Sequence, residues 1–304
     1  MPRSSPLGRV DLALLLVAVL WGFNMPVMKL GMAHMPPLAF NWLRFAMGVP
    51  CAWGLLLGTG GRTGSIAPGD WRALVKVALG FFCFIACFTL GLSRTTAGNT
   101  AILMGMLPLG VALWNRILGV ESLSRRMVLG ILLSLLGALV VVLGTGKEVS
   151  FKTQHITGDL IVMAGVLANG YFLAGSKPLT ARYPAGQVAT WCFTISFMLL
   201  TPFSAPSLLR VPWHALGRAD WLAAFYCGPL ALTITNFLWI WGVSRIGSTR
   251  TSVYNNLPPI FAIAGGVAFL GESFGPVMLA GTVVILAGVY LCRTGAPGAR
   301  RATG

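Results

Sequence analysis

Apolar runs of membrane-spanning length fill this chain, and short polar stretches punctuate them. A helix needs about 20 apolar residues to cross roughly 30 Å of hydrocarbon. Ten segments meet that length: 10–31, 37–57, 73–92, 97–117 and 127–144, then 158–176, 186–205, 222–243, 249–269 and 275–292. Most connections are short. The longer ones, 58–72, 145–157 and 206–220, are richer in polar, glycine or charged residues than the spans. No stretch reads as a separate water-soluble domain. Arg3 and Arg9 ahead of the run Leu12–Leu20 resemble a signal peptide. The run continues past Trp21 to Val27 with no small-x-small site, so it reads as the first span.

The pattern occurs twice. A shift of 151 positions takes Gly91, Ser93, Arg94 and Thr100 onto Gly242, Ser244, Arg245 and Thr251. The same shift takes Pro108 onto Pro259, Glu121-Ser122 onto Glu272-Ser273, and Gly130 and Gly137 onto Gly281 and Gly288. A shift of 148 takes Asp11, Gly22 and Lys29 onto Asp159, Gly170 and Lys177. The expected organisation is therefore a first repeat over 1–144 and an inter-repeat loop over 145–157. A second repeat follows over 158–292, then a disordered, Gly/Ala/Arg-rich tail over 293–304. Each repeat holds five spans, an odd number, so the second enters the membrane upside down. Inverted repeats of this kind place a substrate site near mid-membrane between the halves. The expected fold is an all-α membrane protein of ten transmembrane helices, arranged as two inverted five-helix units.

Composition agrees with this pattern. Only 10% of residues are charged, against about 25% in a soluble domain, which excludes a water-facing surface. A net charge of +15 on a soluble chain would suggest nucleic acid. Here Lys and Arg sit in loops, where they set topology instead. With the N-terminus cytoplasmic, fifteen of them fall inside and five outside, leaving Lys29 and Arg44 within spans. Both termini are therefore expected in the cytoplasm. The 38 glycines suit close helix packing. Gly130, Gly137, Gly281 and Gly288 lie on nearly one face of the last span of each half. Pro26, Pro108, Pro229, Pro258 and Pro259 fall inside spans, each a hinge or a fixed kink.

The chemistry of catalysis is missing from the pattern. There is no GxSxG, HExxH, P-loop or paired carboxylate, and the six cysteines lack zinc-ligand spacing. No catalytic residue, metal or cofactor is expected, and transport would run on a solute gradient or the membrane potential.

Trp21-Gly22-Phe23-Asn24, Lys29, Pro36-Pro37 and Leu43-Arg44-Phe45 read as the opening of an EamA-type unit, and Leu107-Pro108, Gly119-Val120-Glu121 and Gly130 as its close. The second copy closes with Thr251-Ser252-Val253-Tyr254, Asn256-Leu257-Pro258-Pro259, Leu270-Gly271-Glu272 and Gly281. The chain resembles the drug/metabolite transporter superfamily, EamA family, over nearly its whole length. The second copy has Asn169-Gly170 and Cys192-Phe193 where the opening motifs stand in the first. The resemblance implies ten helices, a bacterial inner-membrane location and export of metabolites, often amino acids or their derivatives.

Candidate binding residues are the polar and aromatic side chains within the spans. The seven acids all fall at span ends or in loops, which argues against a mid-membrane carboxylate for proton exchange. Arg44 stands about eight residues into the second span, roughly 10 Å deep. It reads either as a carboxylate-binding residue or as an arginine that snorkels or bonds helix carbonyls. Asn41 precedes it by three on the same face. Trp21 and Asn24 on the first span, Asn169 and Tyr171 on the sixth, Asn236 and Trp239 on the eighth, and Tyr254 and Asn255 on the ninth complete the expected substrate-binding set. An amino-acid-sized, zwitterionic or amphipathic solute would suit such a pocket. Efflux of toxic amphipathic compounds is the rival; a membrane enzyme or structural subunit is the rival from another class. The expected surroundings are the lipid bilayer, with no nucleic acid; a homodimer is left open.

Overall fold

The computed structural model describes residues 8–58, 65–95, 97–144, 153–261 and 275–295, apart from the side chains at 25, 26, 29, 97, 98, 153 and 154. Leu270-Gly271-Glu272, the later part of the ninth expected span, most of the inter-repeat loop and most of the tail lie outside the described residues. In chain order the helices are α1 (Arg9–Gly31), α2 (Pro37–Gly58), α3 (Trp71–Leu92), α4 (Ala97–Gly105), α5 (Leu107–Leu118), α6 (Arg125–Gly144), α7 (Thr153–Thr180) and α8 (Ala185–Leu208). They continue as α9 (Arg218–Phe225), α10 (Thr235–Ile246), α11 (Ser248–Ser252) and α12 (Pro276–Thr294). No strand occurs among the described residues.

Seven helical segments among them are long and apolar enough to cross a membrane. α1 and α2, at 23 and 22 residues, match them in length, about 33 Å at 1.5 Å per residue. Leucines such as Leu12, Leu129, Leu132 and Leu222 stand exposed on the outer faces, as a surface that meets acyl chains allows. Prolines mark most of the breaks. The fourth span divides at Met106, which puts Pro108 in the first turn of α5, where no N–H is needed. Pro229 sits in a π-helical stretch, Tyr226–Ile234, between α9 and α10. A 3-10 turn, Val253–Asn256, precedes the double proline. α1 runs through Pro26 without interruption.

Glycine sets the closest approach. Gly130 lies against the backbone of Gly288 and Cys292, and Gly137 against Gly281 and Ile285. Numbers rise on α6 as they fall on α12, so the two helices are antiparallel. A Cβ at Gly288 would lie 2.4 Å from the Ser134 nitrogen, which only backbone movement relieves. The contact is also reciprocal: the repeat relates Gly130 to Gly281 and Gly137 to Gly288, and each pairs with the other's counterpart. The same reciprocity joins α3–α7 to α1–α10. Gly91 packs on Val162, while Gly242, its equivalent, packs on Leu14, the equivalent of Val162. α2 and α8 are antiparallel too, with Trp42 bonded to Thr201 and Trp53 to Thr194. Between α2, α3, α7 and α8 lies an aromatic core in which Phe81 meets Phe172 at 4.7 Å and Phe193 at 5.5 Å.

Gly288→Ala should destabilise the bundle by about 1–3 kcal/mol through overpacking. Gly54→Ala, where a methyl meets nothing within 4 Å, should leave stability unchanged or raise it by up to about 1 kcal/mol. Thermal melting of both variants in detergent checks the contrast.

Candidate functional site

The π-helical stretch organises the polar interior. Pro229 lies within it, and backbone carbonyls of the same stretch accept from side chains. The Cys227 carbonyl accepts from Arg44 Nε at 3.2 Å. The Ala231 carbonyl accepts from Trp21 Nε1 at 3.0 Å and from Thr235 Oγ1 at 2.7 Å. The Leu232 carbonyl accepts from Asn236 Nδ2 at 2.8 Å. π-Helical turns recur at functional sites, and this one ties α1 and α2 to the second half of the chain.

Arg44 is 6% exposed, so it does not snorkel to a surface. Besides the Cys227 carbonyl, its Nη1 donates to Asn41 Oδ1 at 2.9 Å and to the Met28 thioether at 3.5 Å. Asn41 is held in turn by its Nδ2, which donates to Thr89 Oγ1 on α3. The three ion pairs among the described residues join His34 to Asp220, Arg182 to Asp70 and Arg293 to Asp11. No described carboxylate lies within ion-pairing distance of Arg44. Sulfur is a weak acceptor, and an asparagine oxygen and a carbonyl carry only partial charge. The guanidinium is thus buried, oriented and without an anion among the described residues.

Asn24 faces the same methionine, its Nδ2 3.3 Å from Met28 Sδ. Its Oδ1 is buried with no hydrogen-bond partner among the described residues. One turn earlier on α1, the Trp21 indole also donates to Thr235 Oγ1 at 3.0 Å and lies 4.8 Å from the Trp239 ring. Five of the expected residues therefore gather along α1: Trp21, Asn24, Asn41, Arg44 and Trp239.

The other five are placed differently. Asn236 is buried but turned back onto its own helix. Tyr171 lies against Gly80 and meets Trp114 edge-on at 5.0 Å, on the side of α7 that packs on α3 and α5. Asn169 is buried on the same helix, next to Gly170, which packs on the backbone of Gly110. Asn255 donates to the Met104 carbonyl at 2.9 Å. The Tyr254 hydroxyl donates to Asp11, whose carboxylate also takes Arg293 Nε at 2.7 Å and the Gly8 N–H at 2.9 Å. Tyr254 thus belongs to a brace between the first turn of α1 and the last turn of α12, not to a pocket wall. Spacing placed Met28 on the face of Trp21 and Asn24, and Thr89 and Cys227 are the participants that it did not single out.

Two stretches of the chain, 8–143 and 156–294, match the EamA-like transporter family. The chain belongs to that family. This EamA protein is a multi-pass membrane transporter of small molecules, not an enzyme. It is 27% identical to an "Uncharacterized transporter" of Archaeoglobus fulgidus, over 93% of this chain and 97% of that one. A "Probable amino-acid metabolite efflux pump" of Salmonella typhimurium is also 27% identical, over 91% and 92%. A "Probable terminal-alkyne amino-acid exporter" of Streptantibioticus cattleyicolor is 24% identical, over 97% of each chain. A crystal structure superposes with a TM-score of 0.78 at 20% identity, covering 93% of this EamA protein and 96% of that chain; it shows the shared fold.

Asp11→Ala should leave the Arg293 guanidinium and the Tyr254 hydroxyl unpaired. The expected cost is about 1–3 kcal/mol, discounted because the Arg293 side chain is 28% exposed. A lowered melting temperature in Asp11→Ala, with little change in Tyr171→Phe, is the expected result.

Proposed function

We propose that this EamA protein is a secondary exporter of small carboxylate-bearing metabolites, with amino acids and their derivatives as the leading class. It works by alternating access in the bacterial inner membrane, with both termini cytoplasmic. The ten spans form two inverted repeats, 1–144 and 158–292, and the substrate lies between them. Support for the inversion comes from the antiparallel, reciprocal contacts of α6 with α12 and from five spans per repeat.

The observation that carries the substrate class is Arg44. A cation inside the membrane is costly unless paired or facing a wet cavity. Here its partners are a carbonyl, an amide oxygen and a thioether. A substrate carboxylate supplies the missing anion and displaces the Met28 sulfur, the weakest of the three. Asn24 Oδ1, the buried acceptor beside the same sulfur, is suited to the substrate ammonium. Trp21 and Trp239 offer an aromatic wall to the side chain. Two relatives named for amino-acid export support the same class. Efflux of permanently cationic compounds is disfavoured, since Arg44 would repel them.

Counterflow of labelled amino acids in proteoliposomes tests this reading, with the decarboxylated amines as comparison. Transport of the acids is expected and of the amines is not. Arg44→Gln should lower acid transport by roughly tenfold or more, the equivalent of a lost charge-assisted hydrogen bond of about 1.5–3 kcal/mol. Equal transport of acids and amines, or an Arg44→Gln variant with unchanged kinetics, would overturn the carboxylate assignment.

A further inference from the structure

We propose that the α5–α7 face binds an anionic glycerophospholipid, with an acyl chain in a groove between the helices and the phosphate against Arg116. The two helices run parallel. Asn99, earlier in the fourth span, bonds Asp159 near the start of α7; further along, Gly110 packs on Gly170 and Trp114 Nε1 donates to the Leu167 carbonyl at 2.8 Å. Between them lies a groove of about 130 Å³, with Met106, Leu109 and Leu113 on one side and Met163, Val166 and Leu167 on the other. Gly110 adds no side chain, and every lining side chain is apolar. An apolar cavity of about 150 Å³ stays dry and takes apolar ligands, whereas sites for drug-sized solutes measure roughly 300–1,000 Å³. This groove therefore takes a stretch of hydrocarbon, not water or a polar metabolite. Its rim is open, since Leu113 and Leu167 are exposed.

Helical spacing leads from the groove to a charge. Leu109, Leu113 and Arg116 follow one another at intervals of four and three on α5, so they share a face. Arg116 stands in the last turn and is exposed, with Ile117 and Leu118 exposed beside it. From Met106 to Arg116 the chain climbs about 15 Å, half of the roughly 30 Å of hydrocarbon. A lipid in one leaflet has that reach, from a phosphate at the surface to a chain near mid-membrane. α6 then opens with Arg125 and Arg126, both exposed, and has no acid in its first turn. That end of a helix dipole favours an anion.

Arg116, Arg125 and Arg126 take no part in the ion pairs among the described residues. Glu121 lies in the turn between them but faces the second half. Its Oε1 accepts from the Ser248 N–H at 2.6 Å and its Oε2 from the Thr249 N–H at 3.2 Å. Lys177, near the end of α7, is held by the Val243 and Ser244 carbonyls. Basic loops also set topology, but that role requires no apolar groove aligned with the charge. A phosphodiester meets a guanidinium fork with two parallel bonds. A zwitterionic lipid would bring its own ammonium toward the arginines, and a free phosphate would leave the groove empty. The two features together select a lipid with chains and a net negative headgroup.

Thermal melting of the full-length protein in detergent, titrated with lipid, reads the affinity, and native mass spectrometry counts bound lipids and copies. Phosphatidylglycerol should raise the melting temperature saturably. Phosphatidylcholine of the same chains, and glycerol phosphate without chains, should bind roughly tenfold or more weakly. Arg116→Gln should lower phosphatidylglycerol affinity by about fivefold, the worth of one arginine at an anionic headgroup. Leu113→Trp fills the groove from an exposed position and should lower it as well. Arg210→Gln, an exposed arginine just beyond α8, should leave it unchanged. Equal affinity for the two lipids, or an Arg210→Gln variant as impaired as Arg116→Gln, would mean diffuse charge and sink the site. Glycerol phosphate binding as tightly as the lipid, or unchanged affinity in Arg116→Gln or Leu113→Trp, would do the same. If Leu113→Trp splits a dimer and leaves lipid affinity alone, the face is a contact between copies and the proposal fails. Because no transport is measured, failure of the carboxylate assignment and failure of the lipid site are told apart.

Discussion

Inside a bilayer no solvent completes an unfinished hydrogen bond, and each polar group must find its partner within the protein. That constraint is most severe at Arg44, whose guanidinium needs five bonds' worth of acceptors in a region built from Leu, Phe and Met. The protein answers with backbone. Around Pro229 the helix winds as a π-helix, and carbonyls of the second half turn to side chains of the first. Arg44, Trp21, Thr235 and Asn236 all bond to that short stretch. The halves are thereby joined where the polar interior lies, not only along their apolar faces.

Elsewhere the halves meet through glycine. Helices in lipid gain little from burying leucine against leucine, because acyl chains are as apolar; close backbone approach and dispersion do the work. The α6–α12 contact shows this in its plainest form, with glycine on both helices and backbone atoms as neighbours. Reciprocity follows from duplication. If a residue of one copy touches a residue of the other, a two-fold arrangement requires the equivalent contact as well. The Gly91–Val162 and Gly242–Leu14 contacts meet that requirement, and so do the His34–Asp220 and Arg182–Asp70 pairs.

Within that symmetry the differences matter most. Arginine faces the aspartate in the Arg182–Asp70 pair and histidine in the His34–Asp220 pair. The first half carries the Trp-Gly and Leu-Arg-Phe motifs, and the second has Asn169-Gly170 and Cys192-Phe193 in their place. Arg44 consequently has no cationic counterpart in the second half: position 192 or 193, where its equivalent would fall, holds a buried cysteine or phenylalanine. A symmetric scaffold thus holds an asymmetric interior.

Hydrophobic run lengths located most of the helices to within a few residues, because a span's length is set by bilayer thickness and its composition by solubility in lipid. The repeat register and the packing glycines were legible for the same reason: each is a local property of the chain at fixed spacing. Proline positions marked the breaks at Met106 and ahead of the double proline, but Pro26 lies in an unbroken helix. What each polar side chain meets was not legible. Asn41, Arg44 and Asn24 share a site with Met28, whereas Tyr254, with the same polar-aromatic character, serves the brace at Asp11. Those partners lie up to hundreds of residues away along the chain, and periodicity carries no record of them. The tertiary structure alone decided which charged groups are paired by a carboxylate, like Arg293 with Asp11, and which, like the guanidinium of Arg44, meet only neutral acceptors among the described residues.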